Sequence, residues 1–178
     1  MNLVVCAVIA DLWLLQENLF RPEPKLGETL SRDERNQHLK NEAEALIPPG
    51  LIALKDGDPV GWGQATPRTH VLRWNTARTL LRPLAWDNPE DPGLWAISCF
   101  FIQSRRRGQG LSHALVESAV SQARQGGARI LEACPVEQTR HSGPVGLLAG
   151  SLRVFEKAGF ETVAERLPRR PLMLEVLA

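Results

Sequence analysis

Residues 95–112, WAISCFFIQSRRRGQGLS, constrain this chain more than any other stretch. An apolar run carrying Trp95, Ile97, Phe100, Phe101 and Ile102 halts at Gln103. A basic, glycine-spaced turn follows, Arg105-Arg106-Arg107-Gly108-Gln109-Gly110, and a helical pattern then begins. Strand, turn and helix in that order build a pocket for an anion. The first N–H groups of a helix lack backbone acceptors, and glycines let a phosphate come close to them. The arginines add positive charge at the same place.

That charge is local. The chain has 21 basic and 20 acidic residues, for a net charge of +1. Such a balance argues against nucleic acid or an anionic membrane as the main partner, because their binders carry a broad positive excess. With 178 residues, 43% of them apolar, the chain can bury one good core, so a single domain over residues 1–178 is expected. Cys6, Cys99 and Cys134 form no C-x-x-C pair, and His38, His70, His113 and His141 show no ligand spacing. No metal is expected, and the odd thiol count reads as a reduced, cytoplasmic setting. The opening MNLVVCAVIADLWLLQENLF lacks a basic start, and Asp11 and Glu17 interrupt it. It reads as a buried strand followed by a helix from Asp11, not as a secretory leader or a membrane span.

Along the chain, Ser31 with Glu34 three residues on predicts a capping box. Leu39, Ala43, Leu46 and Ile47 continue at helical spacing until Pro48-Pro49-Gly50. Residues 51–54 and 60–66 predict a hairpin around Lys55-Asp56-Gly57-Asp58, and residues 67–92 a long proline-marked loop. After the glycine turn, Leu111, Ala114, Leu115, Ser118, Ala119 and Gln122 share one helical face, which ends at Gly126-Gly127. A strand over 128–134, a short helix over 151–158 stopped by Gly159, and strands near 161–166 and 171–177 complete the pattern. The class is α/β, a mixed sheet with helices on its faces.

This order, with two motifs, resembles the GNAT superfamily of acetyl-CoA-dependent N-acetyltransferases over residues 51–177. The first motif is the acyl-CoA loop, Arg or Gln, two residues, Gly, one residue, then Gly or Ala. Arg105-x-x-Gly108-x-Gly110 fits literally. Arg107-x-x-Gly110-x-Ser112 fits the distance from Ile102 better and is the favoured register, with Ser112 as the small residue. The second is Val154-Phe155-Glu156-Lys157-Ala158-Gly159-Phe160, similar to the family's YEKxGF element. The resemblance implies a mostly antiparallel central sheet flanked by helices, and acetyl-CoA as cosubstrate without a metal.

It further implies that the N–H groups of Arg107, Gly108, Gln109, Gly110, Leu111 and Ser112 hold the pyrophosphate. Phe100, Phe101 and Ile102 would offer backbone groups to the pantetheine amides. Direct attack by an amine on the thioester, in a ternary complex, is the family reaction. Phe155 stands where many members carry a tyrosine acid, and the chain has no tyrosine. Cys134, Ser151 or water would then protonate the leaving thiolate, or it departs unaided. Glu132, or Glu137 beyond it, is the candidate base, directly or through water. A small-molecule amine is the expected acceptor, with neither nucleic acid nor membrane as partner. Many members pair through sheet edges, so a homodimer is in keeping with the family. The missing phenol also leaves open a non-catalytic acyl-CoA-binding or sensing module.

Overall fold

The computed structural model describes residues 3–7, 50–71, 87–137 and 150–177, together with positions 31, 33–34, 37, 41, 44, 47–48, 74 and 84. Among the described residues seven strands form one sheet in the order β1-β2-β3-β4-β5-β7-β6. They are β1 (Leu3–Ala7), β2 (Leu51–Lys55), β3 (Asp58–Pro67), β4 (Leu94–Ile102), β5 (Ile130–Ala133), β6 (Glu161–Leu167) and β7 (Arg170–Val176). Only β4 and β5 run parallel; every other neighbouring pair is antiparallel. The single parallel pair is a consequence of the helix between them, since a right-handed crossover returns the chain in the same direction.

The hairpin of β2 and β3 turns on Asp56 (φ 54°) and Gly57 (φ 89°). Two consecutive positive φ angles match the twist of the flanking strands, and Asp-Gly is the pair that tolerates them. Helix α1 (Leu111–Gln125) buries Leu111, Leu115, Val116, Ala119, Val120 and Ala123 against the sheet. Their spacing of three and four residues puts them on one face. Helix α2 (Leu152–Lys157) covers the same side, and its Phe155 is fully buried. The main core therefore lies between the sheet and α1. A second cluster, Val71, Trp74, Ala96 and Leu172, fills the opposite face.

The capping box is present. Ser31 N–H donates to Glu34 Oε2 (2.8 Å), and Glu34 N–H to Ser31 Oγ (3.3 Å). Positions 33, 34, 37 and 41 are helical. Ile47 packs on the main core. Leu39, Ala43 and Leu46, and the helix expected from Asp11, lie outside the described residues. The loop expected over 67–92 opens with a short 3₁₀ turn, Arg68–His70. Among the described residues no helix is long and apolar enough to cross a membrane.

Candidate active site

The sheet parts at its centre. β4 pairs with β5 from Leu94↔Ile130 to Ile97↔Ala133, where β5 ends, while β4 continues to Ile102. On its other edge β4 stays paired with β3 through Ile102↔Gly61. The register slips between Gln64 and Ala65, so Ser98 is an extra residue, and its hydroxyl donates to Gln64 Oε1 (2.9 Å). A bulge bends and twists the strand that carries it. Here it falls where the two strands separate, and among the described residues no strand pairs with the β5-facing edge of residues 100–102.

Beyond Ile102 the turn is tied to β3 by Gln103. Its N–H donates to the Val60 carbonyl (3.0 Å) and its side-chain amide to the Pro59 carbonyl (2.7 Å). The 3₁₀ turn Ser104–Arg106 follows, then Gly108 at φ 74° and Gly110 at φ 80°. These left-handed angles are why glycine stands at both positions. A Cβ at either site would meet nothing within 4 Å, so the loop faces open space. α1 starts at Leu111 without a capping side chain and without an acidic residue in its first turn. The N–H groups of residues 108–112 have no backbone acceptor among the described residues. A row of unused donors at a helix start is an anion site by construction.

These parts enclose a cleft of about 590 Å³. β4 lines it with Phe100 and Ile102, the loop with Arg106, Arg107, Gly108 and Gly110, and α1 with Leu111, Ser112 and His113. Gly150, Ser151, Val154 and Lys157 close it from the side of α2. Arg106 Nε and His113 Nδ1 are buried without a hydrogen-bond partner. Buried polar atoms of this kind cost stability unless a ligand or water meets them. Ser151 is the N-cap residue of α2, yet its side chain makes no capping hydrogen bond. A bridge to Val136 holds its backbone in place.

Eight of the twelve site residues expected from the sequence therefore converge on the cleft: Phe100, Ile102, Arg107, Gly108, Gly110, Leu111, Ser112 and Ser151. Four do not. Phe101 alternates to the other face of β4, packing with Trp62 and Cys99. Gln109 turns outward and accepts a hydrogen bond from Lys55 Nζ (2.6 Å). Strand alternation also carries Glu132 and Cys134 to the face away from α1. There Cys134 packs against the second cluster, and its thiol points at the Arg170 carbonyl (3.9 Å). Glu132 is 2% exposed and receives the Trp74 indole N–H (2.9 Å) and the Arg68 guanidinium (3.4 Å). Glu137 is exposed; its backbone N–H donates to the Arg169 carbonyl (3.0 Å). The sequence reading missed His113, Gly150, Val154 and Lys157 as lining residues. Ser151, Val154 and Lys157 recur every three residues, a helical-face signal that could have found the last two.

No cluster of metal-ligating side chains exists among the described residues. A sequence model of the acetyltransferase (GNAT) family matches residues 12–160. The chain belongs to that family, and it is an acyltransferase enzyme. No curated protein matches it by sequence. The fold recurs in solved structures. A GNAT acetyltransferase from Streptococcus pneumoniae is 18% identical with a TM-score of 0.58, over 99% of this chain and 100% of that one. The Salmonella typhimurium acetyltransferase yncA, with its cofactor acetyl-CoA, is 13% identical with a TM-score of 0.60, over 100% and 95%. Aminoglycoside acetyltransferase AAC(6')-Ib in complex with coenzyme A is 19% identical with a TM-score of 0.58, over 98% and 95%.

Proposed function

We propose that the enzyme transfers the acetyl group of acetyl-CoA to a primary amine of a small molecule, by direct attack while both are bound. The observation that carries this is the cleft itself. Unused N–H groups at the start of α1, the side chains of Arg106 and Arg107 and the unpartnered His113 Nδ1 meet the β5-facing edge of β4. Those residues fit coenzyme A. The helix start suits a pyrophosphate, and the free strand edge suits an extended arm carrying amides. The solved yncA and AAC(6')-Ib structures hold acetyl-CoA and coenzyme A, and the latter's name gives a small molecule as acceptor. A cytoplasmic setting accords with the three unbridged cysteines.

Bound acetyl-CoA supplies a thioester carbonyl with a thiolate leaving group. The chain's own part is to hold that thioester by the split and to exclude solvent around it. Phe155 has no proton to give. Two hydroxyls line the cleft, and Ser112 lies at the helix start that suits the pyrophosphate, so we assign Ser151, at the start of α2, the hydrogen bond to the departing sulfur.

Thermal unfolding with and without acetyl-CoA tests the donor half. At one hundred times Kd a ligand of the native state adds about 2.7 kcal/mol. For a chain of this size that raises Tm by roughly 5–11 °C. No shift at saturating acetyl-CoA overturns the reading. Thiol release with small amines and with a peptide bearing a free N-terminus tests the acceptor half. Faster transfer to the peptide would replace the small-molecule acceptor.

A further inference from the structure

Arg68, Trp74 and Asp87 are spread along the connection between β3 and β4, yet all three converge on one carboxylate or its ion partner. Arg68 Nη1 lies 3.4 Å from Glu132 Oε1 and Oε2, and 2.6 Å from Asp87 Oδ1. Trp74 Nε1 donates to Glu132 Oε2 at 2.9 Å. The Arg68, Asp87 and Glu132 side chains are only 2–3% exposed. Charges so far from water persist only when paired, so a displaced partner leaves a costly bare charge behind. Both ends of the connection, and a point between them, are thereby fixed to β5.

The position of that anchor matters. Glu132 pairs in register with Ala96, one step before β4 and β5 part at Ile97 and Ala133. Trp74 belongs to an apolar cluster with Val71, Ala96 and Leu172, against which Cys134, the first residue beyond β5, also packs. The Trp74 side chain thus reaches the end of the β4–β5 pairing on the face away from the cleft, and Glu132 lies one residue before it. A donor lying in the cleft occupies the α1 side. An amine attacking its carbonyl through the split must arrive from the other side.

We propose, on the acetyl-transfer reading above, that Glu132 is a positioning residue. By holding Arg68, Trp74 and Asp87 beside the split it sets the wall against which the acceptor amine is oriented. It acts through those side chains and takes no proton from the amine.

The test compares wild type with Glu132→Gln and with the milder Trp74→Phe, which keeps the carboxylate and removes the indole donor. Probes are acetyl-CoA with 2-phenylethylamine, 1,4-diaminobutane and a peptide amide with an N-terminal alanine, using whichever amine wild type acetylates fastest. Both variants should raise the amine KM about tenfold or more while kcat stays within about threefold, because a displaced wall removes binding that the ground and transition states share. Acetyl-CoA affinity by calorimetry should not change. Hydrogen exchange by mass spectrometry should quicken in peptides covering residues 68–87. A loss of kcat at constant amine KM in Glu132→Gln alone overturns the proposal in favour of proton transfer. Unmoved KM and unmoved exchange overturn it in favour of plain packing. If acetyl-CoA fails to stabilise wild type, the acetyl-transfer reading falls by itself; unchanged exchange would then still refute the anchor.

Discussion

Phe155→Tyr adds one oxygen at the position where the family resemblance implies a phenol, and the structure indicates what that oxygen meets. The Phe155 side chain is fully buried. Its ring packs edge-on against Phe100 (6.0 Å) and Phe160 (5.2 Å). A Cβ built on Gly150 would lie 2.7 Å from the Phe155 Cε2 atom and 3.3 Å from Cζ, the atom that would carry the hydroxyl. Residue 155 is thus walled by backbone and aromatic rings, and Ser151, not Phe155, lines the cleft. A hydroxyl buried without a partner costs about 1–3 kcal/mol by mutational data. At roughly 2–4 °C per kcal/mol for a chain of this size, Tm should fall by about 2–12 °C. Turnover, followed as thiol release at saturating acetyl-CoA, should not rise by more than about twofold, since the new group lies outside the cleft. The reasoning is refuted if Tm holds and turnover climbs tenfold or more. That result would mean the phenol reaches the sulfur after all, where general-acid help is worth about 10²-fold or more.

Gly110→Asp should abolish the acetyl-CoA-dependent rise in Tm, because its carboxylate would stand among the helix-start donors; the left-handed φ of 80° adds about 1–2 kcal/mol of strain to the apo protein. Leu115→Ala, at a fully buried position of α1, should cost about 2–5 kcal/mol in denaturant unfolding. Ser151→Ala should keep acetyl-CoA affinity and slow thiol release, and an unchanged rate would remove Ser151 from the chemistry. Hydrogen bonds from Ser31, first through its side chain, hold the Glu34 carboxyl below its ordinary value. Glu34 therefore contributes stability that is present above the unfolded carboxylate pKa and lost as pH falls through the lower, folded one. Ser31→Ala should move the Glu34 titration back up, read by NMR.

The donor side of this enzyme was legible because its signals are local. Gly108 and Gly110 sit where backbone angles exclude other residues, and the apolar run ending at Ile102 sets where the turn begins. The Asp56-Gly57 turn and the Ser31–Glu34 box work the same way, each within four residues. The boundaries of α1 follow from Gly110 and Gly126 on either side of one apolar face. What escaped were facts of pairing. Gln109 lies inside the motif, but its side chain belongs to Lys55, 54 residues away in sequence, and only the packed β2–β3 hairpin brings the two together.

Glu132 shows the same divide more sharply. Within β5 the alternation of Leu131 and Ala133 with Glu132 was visible, and both apolar residues are 0% exposed against the main core. Parity alone then sends the carboxylate to the face away from α1. What parity could not supply was the partner. A carboxylate on a central strand is either a solvated group, a reactive one or half of a buried pair, and these differ by what folds over it. Arg68 is 64 residues from Glu132 and Trp74 is 58, both within a connection that carries no periodicity. A buried charge is thus where a sequence motif is least informative and an ion-pair census most informative. The carboxylate's nearest neighbours, not its place in the strand, decide whether it moves a proton or holds a wall.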